Sequence, residues 1–205
     1  MAERTGRRIR GLDADQRRAQ RRDDLLAAAL DLFADAGYPN TSIEQLCQAA
    51  FVGTKGFYEI FDTKEACYLA LLRQVSATIE ARMVAVLRTL PADEPAATEL
   101  LLSTFAHALV DDPRFARVTF GQAGGISAAV ERQRRVNRRW AADFLTSVWQ
   151  RDGTPADPSL HRVAIGVVGG LFDLVADWML DPGEPDSLIA DLTVFYLAVL
   201  RGLPA

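Results

Sequence analysis

The sequence predicts an all-α fold, with an N-terminal three-helix helix-turn-helix unit joined by a long helix to a larger C-terminal helical domain. Three observations carry this. Apolar residues recur at three- and four-residue spacing along nearly the whole chain, and sustained two-residue alternation of the strand type is absent. Clusters of turn formers, "DDP", "QAGG", "DGTPADP" and "DPGEP", punctuate the C-terminal part. At 205 residues, 49% hydrophobic and 24% charged, the chain is long and apolar enough to bury a core.

Leu25, Ala29, Leu32, Phe33 and Ala36 mark one face of a first helix that should stop at Gly37, where a left-handed cap is easiest for glycine. Thr41 followed by Glu44 reads as a capping box opening a second helix, with Ile43, Leu46 and Ala49 facing inward. The pattern breaks over 50–53 and resumes with Phe57, Ile60 and Phe61 on one face of a short third helix. From Thr63 a long helix carries Tyr68, Leu72, Val75, Ile79, Met83, Val86 and Leu90 as far as Pro91. Further helices are expected over 96–110, 113–120, 127–151, 159–180 and 186–201.

Net charge is −4, but it is unevenly placed. Residues 1–22 hold eight arginines against three acids, so a basic arm precedes a body with nine excess negative charges. The expected division is a basic arm over 1–20, a helix-turn-helix domain over 21–66, and the remaining domain over 67–205. No run of 18 uncharged apolar residues is present and the N-terminus is polar, so a cytoplasmic protein with no membrane partner is expected. Cys47 and Cys67 fit no paired metal spacing. With only His107 and His161, no metal-binding histidine pair and no nucleophile elbow, neither catalysis nor a cofactor is expected; Asp173 and Asp177, at helical spacing, read as water-facing.

Two short helices joined by a tight turn behind a supporting helix form a helix-turn-helix, whose second helix can enter the major groove of DNA. With Phe57, Ile60 and Phe61 inward, Thr54, Lys55 and Tyr58 project from the other side. Lysine can bond guanine O6 or N7, threonine can touch a thymine methyl, and a tyrosine hydroxyl can reach a phosphate. Gly53 and Gly56 leave little side chain between backbone and groove, and close approach to DNA would explain the helix penalty of a glycine at 56.

The stretch "GYPNTSIEQLCQAAFVGTKGFYEIFDTKEACYLALL" resembles the N-terminal DNA-binding domain of TetR-type transcriptional regulators. The resemblance runs through Thr41, Ser42 and Ile43, the turn Val52–Gly53–Thr54, the Phe57, Tyr58 and Phe61 set, and Thr63, Lys64 and Glu65. It implies that Thr41 and Ser42 meet the phosphate backbone, Thr54 and Lys55 reach bases, and Tyr58 and Lys64 bond phosphates. Two positions depart from the family pattern. Phe51 stands where the family has glycine, so either the turn is shaped differently or Phe51 packs beneath the arm. Ile60 stands where a histidine or other polar residue is frequent, which removes one backbone contact.

In the C-terminal domain Gln133 and Asn137 share a helix face with Trp140 and Phe144, and Phe105, Phe120 and Phe172 are further aromatic candidates. Such a mixture suits a small-molecule effector pocket, polar groups orienting the ligand and apolar walls supplying affinity; ordinary core is the other reading. Arg132, Arg134, Arg135, Arg138 and Arg139 read as a solvated face, with an acidic ligand or a DNA contact as alternatives. The apolar faces of the last two helices can be spent inside the monomer core; the resemblance implies instead a homodimer built on a four-helix interface, for which Ile165, Gly166, Gly169, Phe172, Leu188, Leu192, Phe195 and Val199 are the candidates. It implies a repressor released from a double-stranded, palindromic operator by an apolar effector. The alternative is a helical ligand-binding or scaffold protein acting through a protein partner without an operator.

Overall fold

The computed structural model describes residues 13–121, 125–151 and 157–202. Among the described residues there are nine helices and no strand. They are α1 (Ala14–Asp35), α2 (Ile43–Ala49), α3 (Thr54–Tyr58), α4 (Lys64–Val86), α5 (Glu94–Val110), α6 (Pro113–Phe120), α7 (Ala128–Arg151), α8 (Pro158–Trp178) and α9 (Pro185–Leu200). The chain divides into two compact units, Met1–Leu71 and Leu72–Ala205, and α4 runs from one into the other. Most of the expected turns "QAGG" and "DGTPADP", and the first twelve residues of the expected basic arm, lie outside the described residues.

The remainder of that arm is helical, because Asp13 caps α1 in a reciprocal box with Gln16 and so starts the helix well before residue 21. Helix α1 ends at Ala36, and Gly37 takes the left-handed conformation (φ 81°) expected of it. The second helix starts one residue later than the spacing suggested. Ser42, not Thr41, is the cap, and its box partner is Gln45 rather than Glu44. The buried face of α2 is Leu46 and Cys47, while Ala49 is exposed. The first unit closes around Leu25, Leu26, Phe33, Leu46, Phe57 and Leu71, with Phe33, Tyr38 and Tyr68 forming a triangle of rings 5.3–5.6 Å apart.

In the second unit α8 packs between α7 and α9, and α5 covers α9. Prolines at the first turns of α5, α6, α8 and α9 fix each entry where a missing N–H does no harm. The stretch Ser159–Trp178 is long and apolar enough to cross a membrane by length and composition. In this fold it is a packed helix whose Ala164, Val168 and Val175 are buried and whose Asp173 and Asp177 are exposed. At the centre of the core, the Trp149 indole N–H donates to the Tyr196 hydroxyl at 2.9 Å, both groups being buried. Tyr196→Phe removes that acceptor and leaves a buried donor unpaired, so urea unfolding is expected to show a loss of roughly 1–3 kcal/mol.

Candidate nucleic-acid interface and effector cavity

Helix α3 is only five residues long, too short to hold itself together in water. It persists because Phe57 is fully buried and Phe61 nearly so, their rings 5.8 Å apart. Burying one such ring contributes roughly 1.5–3 kcal/mol. Helix α1 holds the other end, since Arg18 Nη2 donates to the Glu59 carbonyl at 3.0 Å and Arg21 pairs with the Glu59 carboxylate at 3.2 Å. Arginines near a helix C-terminus satisfy its last carbonyls in this way. Some of the basic charge of residues 1–22 is therefore engaged inside the first unit.

With Phe57 inward, Lys55 lies on the opposite face and is exposed, as are Gly53, Thr54 and Tyr58. Thr54 sits nearer the edge of the buried face, where its side chain hydrogen-bonds the Cys47 thiol. Burial pushes the Cys47 thiol up, against the effect of that bond, and pushes the Cys67 thiol up to about 12. Both cysteines are thus protonated, buried and poorly suited to thiolate chemistry.

Four site expectations change here. Thr41 is 2% exposed, with its hydroxyl donating to the Gly37 carbonyl at 2.9 Å, so it holds the α1–α2 loop and leaves Ser42 as the residue at the surface. The Lys64 ammonium donates to the carbonyls of Tyr38 (2.8 Å) and Thr41 (2.7 Å) and lies 4.3 Å from the Tyr38 ring centroid. Burial holds its pKa below the usual lysine value, and the side chain acts as a clamp on the loop. Gly56 has a packing reason rather than a groove-facing one: a Cβ there would meet Val52 Cγ1 at 2.9 Å, whereas Gly53 faces open space.

Phe51 is the fourth. The Val52 N–H bonds the Cys47 carbonyl at 3.0 Å and the Phe51 N–H approaches the Gln48 carbonyl at 3.3 Å, which is the Schellman pattern ending α2. That pattern needs a left-handed residue at position 51, and Phe51 adopts it (φ 53°). The turn therefore keeps the glycine shape, and the ring, 97% exposed, packs beneath nothing.

In the second unit a cavity lies among α4, α5, α7 and α8, with about 790 Å³ not filled by atoms, open solvent at its mouth included. Its walls include Phe105, Asn137, Trp140, Phe144 and Phe172, five of the seven expected ligand residues. Trp140 stacks on Phe144 (5.5 Å) and Phe105 on Phe172 (6.0 Å). Gln133 stands behind the wall: Arg73 Nε donates to it at 2.8 Å, it donates to Asn137 at 2.9 Å, and Asn137 donates to Ser76 at 2.6 Å. Phe120 lines a smaller neighbouring cavity. Sequence periodicity missed Ile79, Glu80, Met83 and Leu101 as wall residues, because an inward-facing residue looks the same whether it meets core or void.

The expected interface set is divided by the structure. Leu188 and Leu192 are fully buried in the core, and Ile165, Phe195 and Val199 pack against it. Phe195 lies over Gly170, and Phe172 belongs to the cavity wall. Gly166 and Gly169 face open space. Along α8, α9 and the turn between them, the large apolar residues left outward are Val163, Leu180 (84% exposed) and Val194 (71% exposed).

Residues 25–71 match the family model described as bacterial regulatory proteins, tetR family. RutR of Escherichia coli strain K12, an HTH-type transcriptional regulator, is 37% identical over 71 residues, covering 35% of this chain and 31% of RutR. The chain thus matches less than a third of RutR's length. FasR of Mycolicibacterium smegmatis, an HTH-type transcriptional activator, is 24% identical over 189 residues, covering 91% of this chain and 86% of FasR. Among solved structures, FadR of Bacillus subtilis in complex with stearoyl-CoA shares the fold with a TM-score of 0.70 at 17% identity, over 83% of this chain and 95% of FadR.

Because the Phe51 ring makes no packing contact to lose, Phe51→Gly should relieve the left-handed strain and raise stability by about 1 kcal/mol net of glycine's greater backbone entropy. Phe51→Ala keeps the Cβ and should raise it far less; equal thermal denaturation midpoints for the two variants would contradict this account. Over residues 25–71 the chain matches the tetR family of bacterial regulatory proteins, and over most of its length it shares the all-helical fold of a solved TetR-family regulator.

Proposed function

We propose that the chain is a homodimeric DNA-binding transcriptional regulator, a repressor released from a palindromic operator by a small, largely apolar ligand. In this reading residues 21–66 contact DNA, and residues 67–205 bind the effector and dimerise. The observation that carries it is the outward presentation of Thr54, Lys55 and Tyr58 by a helix anchored on Phe57. Lys55 reaches guanine, Thr54 reads a base edge, and Tyr58 bonds a phosphate oxygen. Ser42 at the start of α2 supplies a further backbone contact, and Gly53 lets the backbone come close. Lys64 supports this surface from behind through its two carbonyl bonds.

The effector reading rests on the aromatic cavity and its line of polar residues. FadR, which shares the fold, is solved with stearoyl-CoA, and an apolar chain of that kind suits walls such as Phe105, Trp140 and Phe144. Helix α4 begins at Lys64 and carries Ile79 and Met83 of the cavity wall, so ligand binding and DNA contact bear on one helix. A ligand that prefers one arrangement of α4 changes the spacing of the two recognition helices in a dimer. A coupling of about 1–3 kcal/mol shifts operator occupancy several-fold or more.

The dimer face proposed here is the outward side of α8 and α9, with Val163, Gly166, Gly169 and Val194, and Leu180 in the turn between them, in place of the buried leucines. Small residues beside exposed apolar ones let helices of a second copy approach closely. A second reading, activation instead of repression, is favoured by the likeness to the activator FasR along 91% of the chain. A promoter–reporter assay with the operator intact separates the two signs.

Two measurements test the reading. In a mobility-shift assay with DNA flanking its own gene, Lys55→Ala should cost roughly 1–3 kcal/mol and relax preference at one base position. Tyr58→Phe should instead weaken all sequences alike; failure of the parent protein to bind any such DNA would favour the scaffold alternative. In sedimentation, the parent should run as a dimer and Val194→Asp as a helical monomer, and a Val194→Asp dimer would discard the proposed face.

A further inference from the structure

We infer that the effector is an amphipathic anion, its apolar body in the aromatic cavity and its carboxylate or phosphate held by Thr119, Arg134 and Arg138. This inference rests on the effector reading of the cavity and names the class of ligand that reading leaves open. The smaller cavity shares Thr119, Asn137 and Phe172 with the larger one and adds Arg134, Arg138 and Asp173. The two spaces therefore meet along a common wall, one side apolar and the other bearing two guanidinium groups.

Two buried polar atoms at that junction have no hydrogen-bond partner, Thr119 Oγ1 and Arg134 Nε. Buried polar groups are ordinarily paired, and leaving one unpaired is costly, so such atoms point to an acceptor from outside the chain. Arg134 is held in place at its far end, where Nη2 donates to the Thr119 carbonyl at 3.1 Å and Nη1 lies 3.9 Å from Glu131. Arg138 makes no ion pair among the described residues and its guanidinium lies 5.9 Å from the Phe172 ring centroid, over the shared wall. Arginine Nε is a donor only, and guanidinium matches the planar, bidentate geometry of carboxylate and phosphate.

The polarity of the ligand follows from the charges. Among the described lining residues of the larger cavity the one charged group is Glu80, and burial pushes its carboxyl above the usual range. A second negative charge beside it is unfavourable, so the anionic end turns to the arginines. Asp173 lines the smaller cavity and Glu131 stands 3.9 Å from Arg134, so Arg138 is the guanidinium left to meet the anion. The arginine run that reads in sequence as a solvated face thus contributes two members to the ligand's head.

Four twelve-carbon probes titrated into the full chain by calorimetry test this: dodecanoate, dodecyl phosphate, dodecanol and dodecylamine. At least one anion should bind about tenfold tighter than the alcohol, as expected for charge-assisted hydrogen bonds. Its affinity should fall with added salt while the alcohol's does not. Preference for the carboxylate identifies a free acid as the natural ligand, and preference for the phosphate a phosphorylated carrier or headgroup. Arg138→Met, with helix content verified by circular dichroism, should bring the preferred anion down to the level of the alcohol. Equal binding of anion, alcohol and amine, or tightest binding of the amine, overturns the headgroup assignment while sparing the cavity. Absence of binding by all four overturns the effector reading with it.

Discussion

The placement of α3 depends first on the burial of the Phe57 ring, because a five-residue helix has no independent stability. Its rotation about its own axis is set by which side chain enters the core. Once Phe57 is inside, Lys55 must face away, Thr54 falls at the edge and reaches Cys47, and Gly56 lies against Val52 and Arg21. The groove-facing set is therefore a geometrical consequence of core packing.

The segments flanking α3 keep that geometry under tension and restraint of different kinds. Phe51 accepts a left-handed backbone conformation that glycine would take at less cost, and does so with its ring in water. Two unfavourable features at one position, in a turn between helices at the proposed DNA surface, show that the shape of the turn outweighs the preference of the residue. Lys64 has the opposite character. Its ammonium organises the Tyr38 and Thr41 carbonyls from within, trading some solvation for two short hydrogen bonds. A lysine that reads as a phosphate ligand in sequence thereby becomes part of the scaffold that positions Ser42.

In the second unit the core that closes around α8 and α9 leaves a space unfilled beside Val168, Leu171 and Tyr196. Leu188 and Leu192 close the interior, and the Trp149–Tyr196 hydrogen bond pairs two polar atoms that could not otherwise be buried together. Phe105, Trp140, Phe144 and Phe172 are only partly covered and stack in pairs around the cavity. Each ring packs against the core on one side, and the pairs leave a void between them. Polar residues from α4 and α7 meet at its rim, which is where affinity for an apolar body can be combined with orientation.

Residue patterns alone were enough to read the helices found among the described residues, the stop at Gly37, the inward Phe57 and Phe61, and the outward Lys55 and Tyr58. All of these follow from local chemistry: helical periodicity, capping residues and the conformational freedom of glycine act over a few neighbouring residues and are visible in one segment at a time. Tertiary structure alone decided that Thr41 is buried, that Lys64 clamps a loop, that Leu188 and Leu192 are core, and which inward faces surround a cavity. Each of those depends on what stands opposite the residue, a partner distant in sequence, and a periodic pattern records only that a face is covered and never by what.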